Sequence, residues 1–148
     1  MKCPYCLAED TKVVDKRDAE SSTRRRRECL KCEKRFTTFE RVENFDLIIV
    51  KKNSTREQYD RNKLKAGILK ACEKRPISAE VIEQTVDQIE TELRTMDTTE
   101  IPSSKIGDAV MKYLKKLDKV AYIRFASVYK DFTDVEEFED ELKKLLKR

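Results

Sequence analysis

The chain has 148 residues, 42% of them charged, yet Lys and Arg outnumber Asp and Glu by only four. No run reaches the roughly 20 apolar residues that a membrane-spanning helix needs, and Met1-Lys2-Cys3-Pro4 contains no apolar signal core. A cytoplasmic protein is therefore expected, and in that compartment closely spaced cysteines point to metal rather than disulfides.

Residues 1–45 hold four of the five cysteines, Cys3, Cys6, Cys29 and Cys32, and too few aliphatic side chains to build an apolar core. Cys3-x-x-Cys6 and Cys29-x-x-Cys32 are two knuckles separated by 22 residues. Two thiolates three positions apart can grip one ion from a tight turn, and two such turns complete the tetrahedron that zinc prefers. The chain has no histidine, so four cysteines form the expected ligand set for one structural Zn2+ per chain, which also replaces the missing core. Disulfides and iron–sulfur ligation are the competing readings.

Arg24-Arg25-Arg26-Arg27 precedes the second knuckle. Four consecutive guanidinium groups repel one another, so an anionic partner is expected. Arginine supplies phosphate contacts for affinity and bidentate guanine contacts for specificity. Lys12, Lys16, Arg17, Lys34, Arg35 and Arg41 add to the local charge. The net charge argues less: residues 1–45 hold 12 Lys and Arg against nine Asp and Glu. A four-thiolate zinc site adds about −2, leaving about +1. A solvated basic surface is the competing reading, and the run alone does not say which arginine faces a base.

The composition changes near residue 45, with 41–46 as the expected hinge. Leu47-Ile48-Ile49-Val50 reads as a strand, Asn53-Ser54 as a turn and Glu57-Gln58-Tyr59 as a second strand, together a hairpin. Five helices follow: one capped by Asp60 and running to about Lys74, one opened by Ser78, one introduced by Pro102-Ser103-Ser104, one started by Asp118, and one started by Thr133 or Asp134. The expected fold class is α+β, with domains at 1–45 and 46–148.

Only two glycines occur, Gly67 and Gly107, so neither a GxxxxGK phosphate loop nor a GxGxxG fingerprint is present. A nucleotide, if bound, needs another cradle. The candidate is Ile49-Val50-Lys51-Lys52-Asn53-Ser54 followed by Glu57, Tyr59, Asp60 and Lys63. Paired lysines at a strand end can meet phosphates, Lys63 falls on the first turn of a helix where backbone N–H groups favour an anion, and Glu57 can accept from a base or ribose. An edge strand capped by lysines is the competing reading.

The two halves together resemble the bacterial NrdR repressors of ribonucleotide reductase genes. The matching stretches are Met1 to Cys6, Arg24 to Cys32 (RRRRECLKC), Arg35 to Arg41 (RFTTFER), Lys70 to Pro76, Ile101 to Gly107 and Val120 to Phe132. The resemblance implies a zinc ribbon that reads operator DNA, followed by a mainly helical ATP cone with a small β-hairpin that binds ATP and/or dATP. In the cone opening V-x-K-R-D-G, Ile49 stands for the valine and Lys51 matches the lysine, while Lys52, Asn53 and Ser54 depart from arginine, aspartate and glycine. Glu57, Lys63 and Ser103 fall at positions that contact nucleotide in such cones. The resemblance thus implies a nucleoid-associated repressor, not an enzyme, whose homo-oligomer changes size with nucleotide. Its partners are double-stranded operator DNA and ATP or dATP, with Arg17, Arg24, Arg25, Arg26, Arg27, Arg35 and Arg41 as the DNA candidates. A nucleotide hydrolase and a protein-binding zinc-ribbon adaptor are the rival functions.

Overall fold

The computed structural model describes residues 1–42 and 46–147. The chain divides into two compact units, Met1–Asn44 and Phe45–Arg148. Part of the expected hinge at 41–46 lies outside the described residues.

The first unit is a three-stranded antiparallel sheet, β1 (Thr11–Asp18), β2 (Ser22–Cys29) and β3 (Arg35–Arg41), with β2 in the centre. The sequence reading assigned it no strands. β1 offers only the adjacent, exposed Val13 and Val14, and β2 is polar up to Cys29, so the apolar alternation that marks a half-buried strand is missing. The buried hydrophobic cluster here is small: Cys3, Cys29 and Phe36, with Cys6, Ala8 and Cys32 packed against it.

The second unit holds a mixed sheet ordered β5-β4-β6, with β4 at Ile48–Val50, β5 at Arg56–Gln58 and β6 at Glu100–Pro102. β4 and β5 form the expected hairpin. β6 runs parallel to β4 and pairs Ile101 with Ile49, which extends that hairpin to three strands. Three residues ending in proline carry too little pattern to be read as a strand.

Five helices accompany this sheet and pack largely on one another: α1 (Arg61–Ala71), α2 (Ala79–Arg94), α3 (Ser103–Leu117), α4 (Lys119–Tyr129) and α5 (Val135–Leu146). The side chains of Asp60, Ser78, Asp118 and Asp134 cap α1, α2, α4 and α5 by accepting from first-turn amides. Helix α1 stops three residues short of Lys74, which itself adopts φ 59°. Ile68, Val86, Ile89, Leu93, Ile101, Val110 and Leu114 are fully buried and form the centre of the core. At its edge Arg61 bonds to Glu83, Asp87 and Glu90, which ties the start of α1 to α2. Among the described residues no helix is long and apolar enough to cross a membrane.

Candidate functional site

Two near-identical turns present the cysteines. Leu7 N–H donates to Cys3 O at 2.9 Å and Cys3 N–H to Ala8 O at 2.8 Å; Glu33 N–H donates to Cys29 O and Cys29 N–H to Lys34 O, each at 3.0 Å. Leu7 and Glu33, each directly after a second cysteine, share the left-handed conformation with φ 61° and 59°. All four Sγ atoms lie within 4.8 Å of one another, with Cys3–Cys32 and Cys6–Cys29 at 3.6 Å. Zn–S bonds of about 2.3 Å place tetrahedral sulfurs about 3.8 Å apart, whereas a disulfide needs about 2.05 Å. The cysteines are free, and the quartet fits one tetrahedral zinc with no ligand position left open. The backbone N–H of Cys32, assisted by that of Lys31, donates to Cys29 Sγ and lowers that thiol's pKa, while burial and the other three thiols raise that of Cys32. Cys72 is buried in the helical core instead, where burial raises its pKa.

The four consecutive arginines occupy the central strand β2, so they alternate between its two faces. This relieves the mutual repulsion expected from the sequence. Cross-strand register places Arg24 and Arg26 on one face with Arg17, Arg35 and Arg41, and puts Arg25 and Arg27 on the opposite face with Phe36 and Cys29. Several are partnered: Arg25 with Glu40, Arg35 with Glu28 at 2.7 Å, and both Arg17 and Arg24 with Asp15. Arg26 and Arg27 donate to the hydroxyls of Thr37 and Thr38 at 3.0 and 3.1 Å, and the Arg41 guanidinium lies 4.4 Å from the centre of the Phe39 ring.

In the second unit a cleft of about 610 Å³ opens between the β4–β5 turn, α1, α3 and α4. Lys51, Lys52, Lys63 and Ser103 all line it. A smaller adjoining recess of about 190 Å³ is lined by Ile49, Glu57 and Tyr59, together with Lys51 and Lys63. The seven candidate residues are thus neighbours around one concave region. Glu57 bridges two of the lysines, receiving Lys51 Nζ at 2.6 Å and also Lys63 Nζ. Lys51 and then Lys63 pull its carboxyl down to about 2. Tyr59 contributes its ring, while its hydroxyl donates to Glu90 Oε1 at 3.0 Å.

Two helix N-termini border this concave region, and they are capped differently. Asp60 already accepts from Asn62 N–H at 2.8 Å and Lys63 N–H at 3.4 Å, so the first turn of α1 has its own counter-charge. Helix α3 begins at Ser103 behind Pro102, with no side-chain cap, and its first turn borders the cleft. Its first-turn N–H groups therefore have no side-chain cap where they border the cleft. The departures at Asn53 and Ser54 leave the turn intact: Asn53 Oδ1 accepts from Thr55 N–H at 3.1 Å, and Ser54 takes φ 63° where the cone pattern has glycine.

The sequence reading missed the apolar walls of the cleft. Phe125 and Tyr129, stacked with ring centres 5.7 Å apart, form one side. Both glycines of the chain also line it. A Cβ on Gly107 would come within 2.0 Å of the Tyr129 ring, so only glycine lets that ring reach the cleft. The rarity of glycine in this chain was the available signal.

Residues 1–40 match the family described as transcriptional repressor NrdR-like, N-terminal domain, and residues 47–135 match the ATP cone domain. Proteins named transcriptional repressor NrdR are similar to this chain along nearly its whole length. The one from Petrotoga mobilis is 56% identical over 147 residues, covering 98% of each chain. That from Lachnoclostridium phytofermentans is 53% identical over 148 residues, 99% of this chain and 97% of its own. That from Thermoanaerobacter sp. strain X514 is 54% identical over 149 residues, covering 99% and 94%. A four-cysteine ribbon joined to an ATP cone, with this similarity across both, makes the chain a member of the NrdR family of transcriptional repressors, which are regulators and not enzymes.

Proposed function

We propose that this protein represses ribonucleotide reductase genes in response to ATP and dATP, acting in the cytoplasm on nucleoid DNA. Residues 1–45 bind operator DNA as a zinc ribbon, and residues 46–148 sense nucleotide and drive self-association. One observation carries this reading: the Lys51, Lys52, Lys63 and Ser103 positions gather around a single cleft, in a chain whose other unit displays arginines on a zinc-ribbon sheet. In the cleft the lysines and the first turn of α3 receive the phosphates, and the Phe125–Tyr129 wall faces the apolar part of the ligand. Nucleotide changes how cones associate, and association decides whether paired ribbons reach two operator half-sites together. Linked ribbons gain affinity through effective concentration and lose it when geometry forbids joint engagement.

Calorimetric titration of the zinc-loaded protein with ATP and dATP tests the sensor. Saturable binding of both is expected. Lys51→Ala and Lys63→Ala should each weaken it by about 10- to 150-fold, since each removes one charge-assisted hydrogen bond of about 1.5–3 kcal/mol. Binding that is unaltered in both variants would place the nucleotide elsewhere.

A further inference from the structure

The two faces of the ribbon sheet differ in charge in a way that the sequence alone does not show. On one face the register brings together Lys12 and Arg17 from β1, Arg24 and Arg26 from β2, and Arg35 and Arg41 from β3. Only Asp15 and Glu28 accompany them on the three strands, and each carboxylate is shared: Asp15 by Arg17 and Arg24, Glu28 by Lys12 and Arg35. The opposite face has Lys16, Arg25 and Arg27 against Asp18 and Glu40, in one-to-one pairs of Lys16 with Asp18 and Arg25 with Glu40. It also carries Cys29 and Phe36, which are buried in the cysteine cluster. Positive charge therefore accumulates on the face turned away from the metal site and is almost cancelled on the other.

Spacing suits the same face to a duplex. Neighbouring strands lie about 4.8 Å apart, so the cations of β1 and β3 stand about 10 Å apart across the central pair, close to the roughly 12 Å width of a major groove. Lys12 and Arg17 then approach one phosphate backbone and Arg35 and Arg41 the other, with Arg24 and Arg26 between them and long enough to reach phosphates on either side.

We propose that the ribbon docks on duplex DNA through the sheet face bearing Lys12, Arg17, Arg24, Arg26, Arg35 and Arg41, and that Arg25 and Arg27 take no direct part. This rests on the reading of the ribbon as the DNA-binding unit. Two double variants with equal charge loss on the same strand separate the faces: Arg24→Gln with Arg26→Gln, and Arg25→Gln with Arg27→Gln. Each full-length, zinc-loaded protein is titrated with a mixed-sequence 60-base-pair duplex between about 50 and 200 mM salt, and its zinc content is measured. The first variant should bind about tenfold or more weakly, and its log–log salt slope should flatten by about 0.9 for each phosphate it no longer neutralises. The second should stay within about threefold of the wild type at unchanged slope. Arg17→Gln with Arg35→Gln, on the exposed flanks of the proposed face, repeats the test should the first variant lose zinc, and should weaken binding likewise. An equal or greater loss from Arg25 and Arg27, or no loss from the other pairs, overturns the assignment. Wild-type protein that fails to bind the duplex with ATP, with dATP and with neither overturns the DNA reading itself, a result distinct from either.

Discussion

Glu57 stands between two lysines that line the cleft and supplies their counter-charge. Lys51 and Lys63 both point at its carboxylate, which they keep ionised down to about pH 2. In the proposed site a triphosphate therefore exchanges one set of ion pairs for another, and the net gain is smaller than the number of new ion pairs suggests. The spacing of the four cysteines was enough to group them, because two short knuckles can close on one tetrahedral ion in few ways. The residues after each knuckle were not legible, since Leu7 and Glu33 hold positive φ without the glycine that usually announces it. One zinc per chain is expected by elemental analysis of fresh protein. Cys6→Ser should lose most of it, and Cys72→Ala, in the helical core, should lose none. Iron in place of zinc, or a loss on changing Cys72, would contradict the site.

At the scale of elements, strand alternation decides what a run of arginines means. Four in a row read as one patch in the sequence, but β2 sends them in opposite directions in pairs. The helices were legible because Asp60, Ser78, Asp118 and Asp134 announce their starts and apolar residues recur along one face. The strands β1 to β3 were not, because they carry no alternating apolar face, and β6 was not, because three residues around the single buried Ile101 carry too little pattern. The cleft wall also belongs to this scale, being the meeting of α3 with α4 at Gly107 and Tyr129. Gly107→Ala forces a methyl group into the Tyr129 ring, 2.0 Å away. Overpacking of this kind costs about 1–3 kcal/mol, of which the better helix propensity of alanine recovers about 1. Gly67→Ala meets nothing closer than Phe125 at 3.9 Å and should be neutral or stabilising by up to about 1 kcal/mol. Thermal unfolding followed by circular dichroism compares them; equal midpoints would mean that the ring moves aside without cost.

For the whole molecule, the chain forms two compact units, Met1–Asn44 and Phe45–Arg148. The ribbon buries only a small cluster around its cysteines, while the cone buries a continuous core, so losing zinc should leave the cone folded. How a ligand in one unit would alter the other is not legible in a single chain's sequence, since the proposed route is assembly between chains. In the proposed mechanism the cone and ribbon are coupled by oligomer geometry, and such couplings are typically about five- to 150-fold in affinity. The most direct measurement is a gel-shift titration of DNA from upstream of ribonucleotide reductase genes, with wild type and Lys63→Ala, in the presence of ATP, of dATP and of neither. The wild type should bind with clearly different affinities across the three conditions. Lys63→Ala, confirmed by calorimetry to have lost nucleotide, should bind with one affinity throughout. A variant that no longer binds nucleotide yet still switches, or a wild type indifferent to nucleotide, would contradict the account.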